Sequence, residues 1–510
     1  MGNGRLVAVI AGIVILSGAA TAGGEGEGAE IKAPVAISIL SPAEIEAARL
    51  EAEALTEPGV DAKAPAPADD FHKTKFANRR WEEDWTFLGD PDATTDHWYP
   101  EAKFIDLGDG WSLGFGGQIR YRLMSENNKS LTKTSPKNND YNLVRTRVHA
   151  DLRNENGLRF FVEGLDARIH GNSRPPIGID RNNFDLQNGF VEWDAGEQTF
   201  RFGRMELQEG AQRLVSPLDW GNTRRTFDGG MITLEHSLGT TDIFVTRPVM
   251  VDPRDMDNRI TDRWFSGIYN TTKLDNGDGL DVFVLALNDT DDIFTANDGS
   301  VGDRDLYTWG GRYHGKRGDT DFEAWGAMQR GEVAGDDVDA YAWTLRAGQS
   351  FPDTKYKPRV GLDVDYASGD DNPTGGDVET FNQLFPLGHA YFGYLDLVGR
   401  QNVIDIQPNV AVVLDERTKA KAAFHYFKLA EEEDAVYNAA GAPSFADASG
   451  DAGDNLGNEI DLVVMHSPEW LAPHGNLLVG WSRFWSGRHI DSAGGRGDAE
   501  LYYVQLQMTF

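Results

Sequence analysis

The sequence has 510 residues, 81 acidic against 48 basic side chains, a formal net charge of −33 at pH 7, and no cysteine. That charge excludes a nucleic-acid binder, which needs a basic surface, and the missing thiols exclude a fold stapled by disulfides. Past the N-terminus no run approaches the ~20 apolar residues of a membrane helix; a transmembrane barrel stays open, because its strands alternate in polarity.

In chain order, Arg5, the apolar run from Leu6 to Leu16 and the small residues Ala20, Thr21 and Ala22 read as a signal peptide over residues 1–22. Residues 23–103 form an acidic arm, Gly/Glu-rich and then Ala/Pro-rich, expected to be mostly flexible. Within it Ser41, Pro42 and Glu44 make a capping box with proline at the first helical position, which predicts one short helix. The aromatic stretch RRWEEDWTFLGD (79–90) is expected at the edge of the folded body.

From residue 104 the period is two. In WSLGFGGQIRYRL (111–123) Trp111, Leu113, Phe115, Ile119, Tyr121 and Leu123 share one face, with Gln118, Arg120 and Arg122 on the other. Val144, Thr146, Val148 and Ala150 likewise oppose Arg145, Arg147, His149 and Asp151. Such alternation predicts a sheet with one apolar and one polar face, as in a sandwich or a barrel. The connections decide between them. Long segments (124–142, 169–184, 247–263, 288–304) alternate with tight ones such as NENG (154–157), AGEQ (195–198) and GKRGDT (315–320). Short turns at one end and long loops at the other are the pattern of an up-and-down barrel in a bacterial outer membrane. The last strand, LYYVQLQMTF, puts Tyr502, Val504, Leu506, Met508 and Phe510 on one face and is expected to pair with the first. Residues 104–510 are therefore predicted to be an all-β transmembrane antiparallel barrel of about 18 strands. Sixteen would also fit, since 227–247 and 403–428 are poorly punctuated.

Parity places Arg120, Arg122, Arg145, Arg147, Arg201, Arg312, Arg346 and Arg359 on the polar face. That face must line the interior, because each Arg or Lys at the bilayer midplane costs about 2–4 kcal/mol. Guanidinium binds carboxylates through paired hydrogen bonds, so these side chains are candidates for the path of an anionic solute. Asp151, Glu163, Glu192, Asp363, Asp365, Glu459 and Asp461 share their face, so bracing of the wall is the competing role. Trp309, Tyr313, Trp343, Trp481 and Tyr502 are candidates for interfacial girdles.

The stretch GRMELQEGAQRLVSPLDWGNTRRTFDG (203–229) closely resembles the signature of the alginate export family of outer-membrane porins. The matching residues are Gly203, Arg204, Leu207, Gly210, Gln212, Arg213, Leu214, Asp219, Trp220, Asn222, Arg225, Phe227, Asp228 and Gly229. Residues 368–402 are similar to members of the wider family. The resemblance implies an eighteen-stranded outer-membrane barrel whose arginine-rich lumen exports an anionic polysaccharide such as alginate.

The loop 204–225 is expected to fold inward and narrow the channel. Arg204, Arg213 and Arg225 then join the solute path, Arg213 and Arg225 at the constriction, with Asp219 orienting one of them and Trp220, Asn222 and Asp228 in support. No cofactor is expected; the acidic stretches 275–281, 288–299 and 430–434 are weak candidates for Ca²⁺. Expected partners are the polysaccharide, outer-membrane lipid and lipopolysaccharide, and periplasmic export machinery, around a monomeric barrel. Two other readings remain: a porin for uptake of sugars or small anions, and, more remotely, a secreted all-β polysaccharide-degrading enzyme.

Overall fold

The computed structural model describes residues 71–132 and 135–510. The expected signal peptide and the predicted helix after Ser41 lie outside the described residues. Among the described residues no helix is long and apolar enough to cross a membrane.

Eighteen long strands, each antiparallel to the next, close into a barrel. The first six are β1 (Trp111–Asn127), β2 (Asn138–Asn154), β3 (Leu158–His170), β4 (Asn182–Asp194), β5 (Gln198–Met205) and β6 (Phe227–His236). There follow β7 (Gly239–Met250), β8 (Arg263–Lys273), β9 (Gly279–Thr295), β10 (Val301–Arg317), β11 (Thr320–Val333) and β12 (Asp336–Ser350). The last are β13 (Arg359–Ala367), β14 (Val403–Asp415), β15 (Thr418–Lys428), β16 (Asn455–His466), β17 (Gly475–Ser486) and β18 (Ala499–Thr509). The two poorly punctuated stretches each hold a hairpin, β6–β7 and β14–β15, so the count is eighteen and not sixteen.

Closure comes from β18 pairing with β1, from Glu500 opposite Asn127 to Thr509 opposite Gln118. Phe510 continues the ladder by exchanging backbone bonds with Gly117 at 2.7 and 3.0 Å. Its ring lies where a Cβ on Gly117 would be, 2.7 Å from the ring edge, so the seam needs glycine there.

The alternating faces are sorted in the sense opposite to a soluble protein. On β1, Phe115, Ile119, Tyr121 and Leu123 are 40–45% exposed, whereas Arg120 and Arg122 are 2% exposed. A charged interior behind an apolar exterior is stable only where the solvent outside is lipid. The aromatic pairs Trp343–Tyr366 and Trp481–Tyr502 lie on this outer face, at ring separations of 5.7 and 6.4 Å.

Tight turns gather at one end and long loops at the other, with two departures at the long-loop end: β9 and β10 are joined by residues 296–300 where a long loop over 288–304 is expected, because the strands extend into it, and β11 and β12 meet through Ala334 and Gly335 alone. Both adopt positive φ, +50° and +103°, which a two-residue hairpin requires. Residues 74–103, assigned by composition to the arm, are placed at the short-turn half of the barrel, with Ala77, Arg80, Trp81, Glu83, Trp85, His97 and Lys103 buried there and 86–96 and 98–102 more exposed, so order begins well before the first strand. Trp81 lies against Arg201 and Phe190 of the wall, and wall arginines donate to the carbonyls of Asn78, Trp81 and Glu83, a fit that arm composition alone does not reveal.

Candidate functional site: two loops meeting inside the barrel

The loop 206–226 turns inward from the end of β5, as expected. Gly210 makes the turn with φ +50°, and a Cβ there would collide with the Tyr269 hydroxyl on the wall. Gln212 and Leu218 also adopt left-handed φ of 56° and 55°, a conformation unusual for such side chains, held by the surrounding bonds. Asn222 fixes the loop tip: its Nδ2 donates to the carbonyls of Val144, Arg168 and Asp180 at 3.0–3.1 Å.

A second loop, 368–402, enters the barrel from the opposite wall and meets the first. Val215 and Phe385 form a parallel bridge, and Phe385 N and Leu387 N donate to Leu214 O and Gln212 O at 2.9 and 3.0 Å. The Phe385 ring fits edge-on between Phe227 and Phe265, at 5.2 and 4.8 Å. Arg400 holds the return of this loop, donating to Asp365 at 2.8 Å and to Thr344 at 3.1 Å. Leu395 N donates to Glu459 at 2.9 Å.

Asp219 is the hub of the charged network on the first loop. Its carboxylate accepts from Arg145 at 2.7 Å, contacts Arg224 closely, and lies 3.7 Å from Arg120. Its backbone carbonyl accepts from Arg120 and Arg145 at 2.7 and 3.1 Å. Glu206 bridges Arg224, at 2.6 Å, to Arg147, which Glu163 also grips at 2.7 Å. Asp219 therefore does not orient Arg213 or Arg225, as expected from sequence. Arg213 instead donates twice to Glu323, at 2.9 and 2.6 Å, and lies over the Tyr391 ring at 4.3 Å. Arg225 donates to the carbonyls of Ser216 and Phe385, at 3.0 and 2.7 Å, and so clasps the two loops together.

The other arginines singled out sit in pairs along the wall. Arg312 donates to Glu323, and Arg346 forms an ion pair with Asp363 at 3.0 Å. Arg359 donates to Asp321 and Arg201 to Glu192. Arg204 and Asp228 pair across β5 and β6 at 2.7 and 3.1 Å. Sequence reasoning missed Arg224, Glu206, Glu323 and Arg400, and gave the second loop no role inside the barrel. Of the acidic stretch 275–281, Asp278 is engaged by Arg317 and Tyr313, and Asp281 by Tyr269 and Arg312. Among the described residues, the carboxylates grouped closely enough for one ion are Asp370, Asp371 and Glu379, within 4.8 Å.

Trp220 carries an aromatic column. The Arg122 guanidinium lies over its ring at 3.7 Å, and His389 stacks at 3.6 Å on Trp220 and at 4.6 Å on Tyr394. Burial pushes the His389 imidazole below its ordinary pKa despite Asp396 at 3.0 Å, so the column is neutral at pH 7 apart from Arg122. Beside it lies a cavity of about 70 Å³ lined by Arg120, Arg122, Trp220, His389, Tyr394 and Tyr503. Gln505, Gln507 and Asn476 continue its wall toward the short-turn end.

Comparison with known proteins agrees with this architecture. Among solved structures, the fold is similar to Pseudomonas aeruginosa OccD3 (OpdP), with TM-score 0.52 and 12% identity over 80% of this chain and 93% of that one. Acinetobacter baumannii OccAB1 is similar at TM-score 0.53 and 12% identity, over 80% and 99% of the two chains. The outer membrane protein opdK of Pseudomonas aeruginosa is similar at TM-score 0.53 and 10% identity, over 78% and 98%. A sequence search of curated proteins finds no match. The alginate export family model matches residues 112–503, the whole barrel but its edges. The chain belongs to the alginate export family, and its barrel is a channel of the bacterial outer membrane.

Proposed function

We propose that the channel passes an anionic polysaccharide such as alginate, with the cavity beside Trp220 as its recognition point. The observation that carries this reading is the shared lining of that cavity by two arginines, Arg120 and Arg122, and by the edge of the stacked column of Trp220, His389 and Tyr394. A uronate residue has a carboxylate for the first and an apolar ring face for the second. The paired arginines Arg145, Arg147, Arg201, Arg204, Arg213, Arg312, Arg346 and Arg359 brace the loops and wall and set the local potential, and Arg225 clasps the loops. A passive pore has no direction of its own; export follows from periplasmic machinery that feeds polymer to the short-turn end.

A second reading, uptake of sugars or small anions, is favoured by the small cavity, about 70 Å³. Single-channel recording in planar bilayers separates the two. With polymer passage, oligouronates block the current at lower concentration than a monomeric uronate, and Trp220→Ala weakens the block. Equal block by a neutral oligosaccharide of the same length overturns the anionic reading, and block by the monomer alone favours uptake.

A further inference from the structure

Residues 74–103 make contacts that the channel reading does not use. Ala77, Arg80, Trp81, Glu83, Trp85, His97 and Lys103 are buried at the short-turn half of the barrel, and the segment is joined covalently through residues 104–110, of which Ile105–Gly108 pair as a short strand with Trp111–Leu113 of β1. Gly108, Asp109 and Gly110 there adopt positive φ, so the segment folds back over the wall at a tight turn.

The wall carries a seat shaped for it. Gly114 and Gly116 of β1 face inward, and a Cβ on Gly114 would stand 2.6 Å from the Lys103 carbonyl. Lys103 is 4% exposed and donates to Phe510 O at 3.0 Å. On the other side, Trp81 slides under the Arg201 guanidinium at 3.7 Å and meets Phe190 edge-on at 6.0 Å. Three wall arginines donate to backbone carbonyls of the segment: Arg147 to Asn78, Arg159 to Trp81 and Arg153 to Glu83, at 3.3, 2.6 and 2.7 Å.

Two contacts place the segment across the passage. At one edge Asn78 Oδ1 accepts from Arg224 of the first inward loop at 2.8 Å. At the other, His474 in the β16–β17 turn stacks on Trp98 at 4.0 Å and approaches Phe76 at 5.3 Å. The segment thus reaches from the constriction to the short-turn rim, held by side-chain bonds and ring contacts in place of a sheet ladder. Such an attachment opens locally at lower cost than the barrel unfolds.

We propose that residues 74–103 are a cork, hinged at Phe104 just before the short strand paired to β1, whose release from the glycine-floored seat widens the short-turn half of the channel. Docked, it blocks that half; released, it leaves the two-loop constriction as the narrowest point.

The chain has no cysteine, so one engineered thiol reports the cork cleanly. Ala77 is 2% exposed and small, so Ala77→Cys leaves the fold intact. In bilayers, the thiol is expected to resist a bulky methanethiosulfonate added on the short-turn side. Slow modification should then trap the cork outside its seat, with a severalfold rise in conductance. A second variant, Trp81→Ala with Trp98→Ala, should raise conductance without reagent and expose the Arg79–Arg80 bonds to trypsin, while Trp81→Phe stays protected. Rapid modification of the introduced thiol in the folded channel, or modification that leaves conductance unchanged, overturns the proposal.

Discussion

Asp219 is the test of whether the inward loop sets the charge selectivity of the channel. Its carboxylate is the counter-charge nearest to Arg145 and Arg224, with Arg120 3.7 Å away, beside the cavity that Arg120 and Arg122 line. Asp219→Asn keeps the shape and an oxygen that still accepts from Arg145, but removes one negative charge. The backbone carbonyl that accepts from Arg120 and Arg145 is untouched, and so are the three Asn222 staples. The loop therefore keeps its place while its potential rises.

The size of the effect follows from Coulomb's law. For an ion passing about 6 Å from the lost charge, at an effective dielectric constant of about 40–80, the change is roughly 0.7–1.4 kcal/mol. That is about a 3–10-fold gain in permeability for an anion, with a matching loss for a cation. The assay is the reversal potential in a KCl gradient, run at low and high salt because the shift should shrink as ionic strength rises. Heat-modifiable gel mobility checks that the barrel is folded. An unchanged reversal potential in a folded variant refutes the reasoning, as does a shift toward cations.

Asn222→Ala removes two N–H donors shared among three carbonyls; at about 1 kcal/mol net per donor, the loop loses roughly 2 kcal/mol of anchoring. The expected result is a noisier and larger conductance in an intact barrel, read from single-channel traces. Cork docking should weaken in acid. Burial, reinforced by Lys103 and His474 and opposed by Asp96, pushes the docked His97 pKa down to about 3. Its ordinary value is about 6.5, so docking is complete above that pH and is lost as pH falls from 6.5 toward 3, by at most about 25-fold between pH 7 and pH 5. Conductance of the parent should accordingly rise at pH 5, with no rise in His97→Phe; equal response in both removes His97 as the cause. Arg225→Ala should loosen the two loops without changing the sign of selectivity, because Arg225 binds carbonyls and no carboxylate in the network; loss of anion preference would contradict that role.

The barrel was legible because each strand reports its own face. Arg120, Tyr121, Arg122 and Leu123 alternate in sequence, and the same four residues alternate between 2% and 40–45% exposure. The bilayer then tells inside from outside. What lies within the barrel has no such period. Phe385 meets Val215, and Asn78 meets Arg224, across separations of more than a hundred residues, between segments with no regular pleat to fix their direction. Arg224 and Arg225 show the consequence most sharply. They are neighbours in sequence, and the family signature includes Arg225 alone. In the folded loop their side chains diverge: Arg224 enters the carboxylate network of Asp219 and Glu206, and Arg225 turns to the carbonyls that join the two loops. Charge and mechanical support at the constriction are therefore carried by adjacent residues, so substitutions one position apart can alter selectivity and loop rigidity separately.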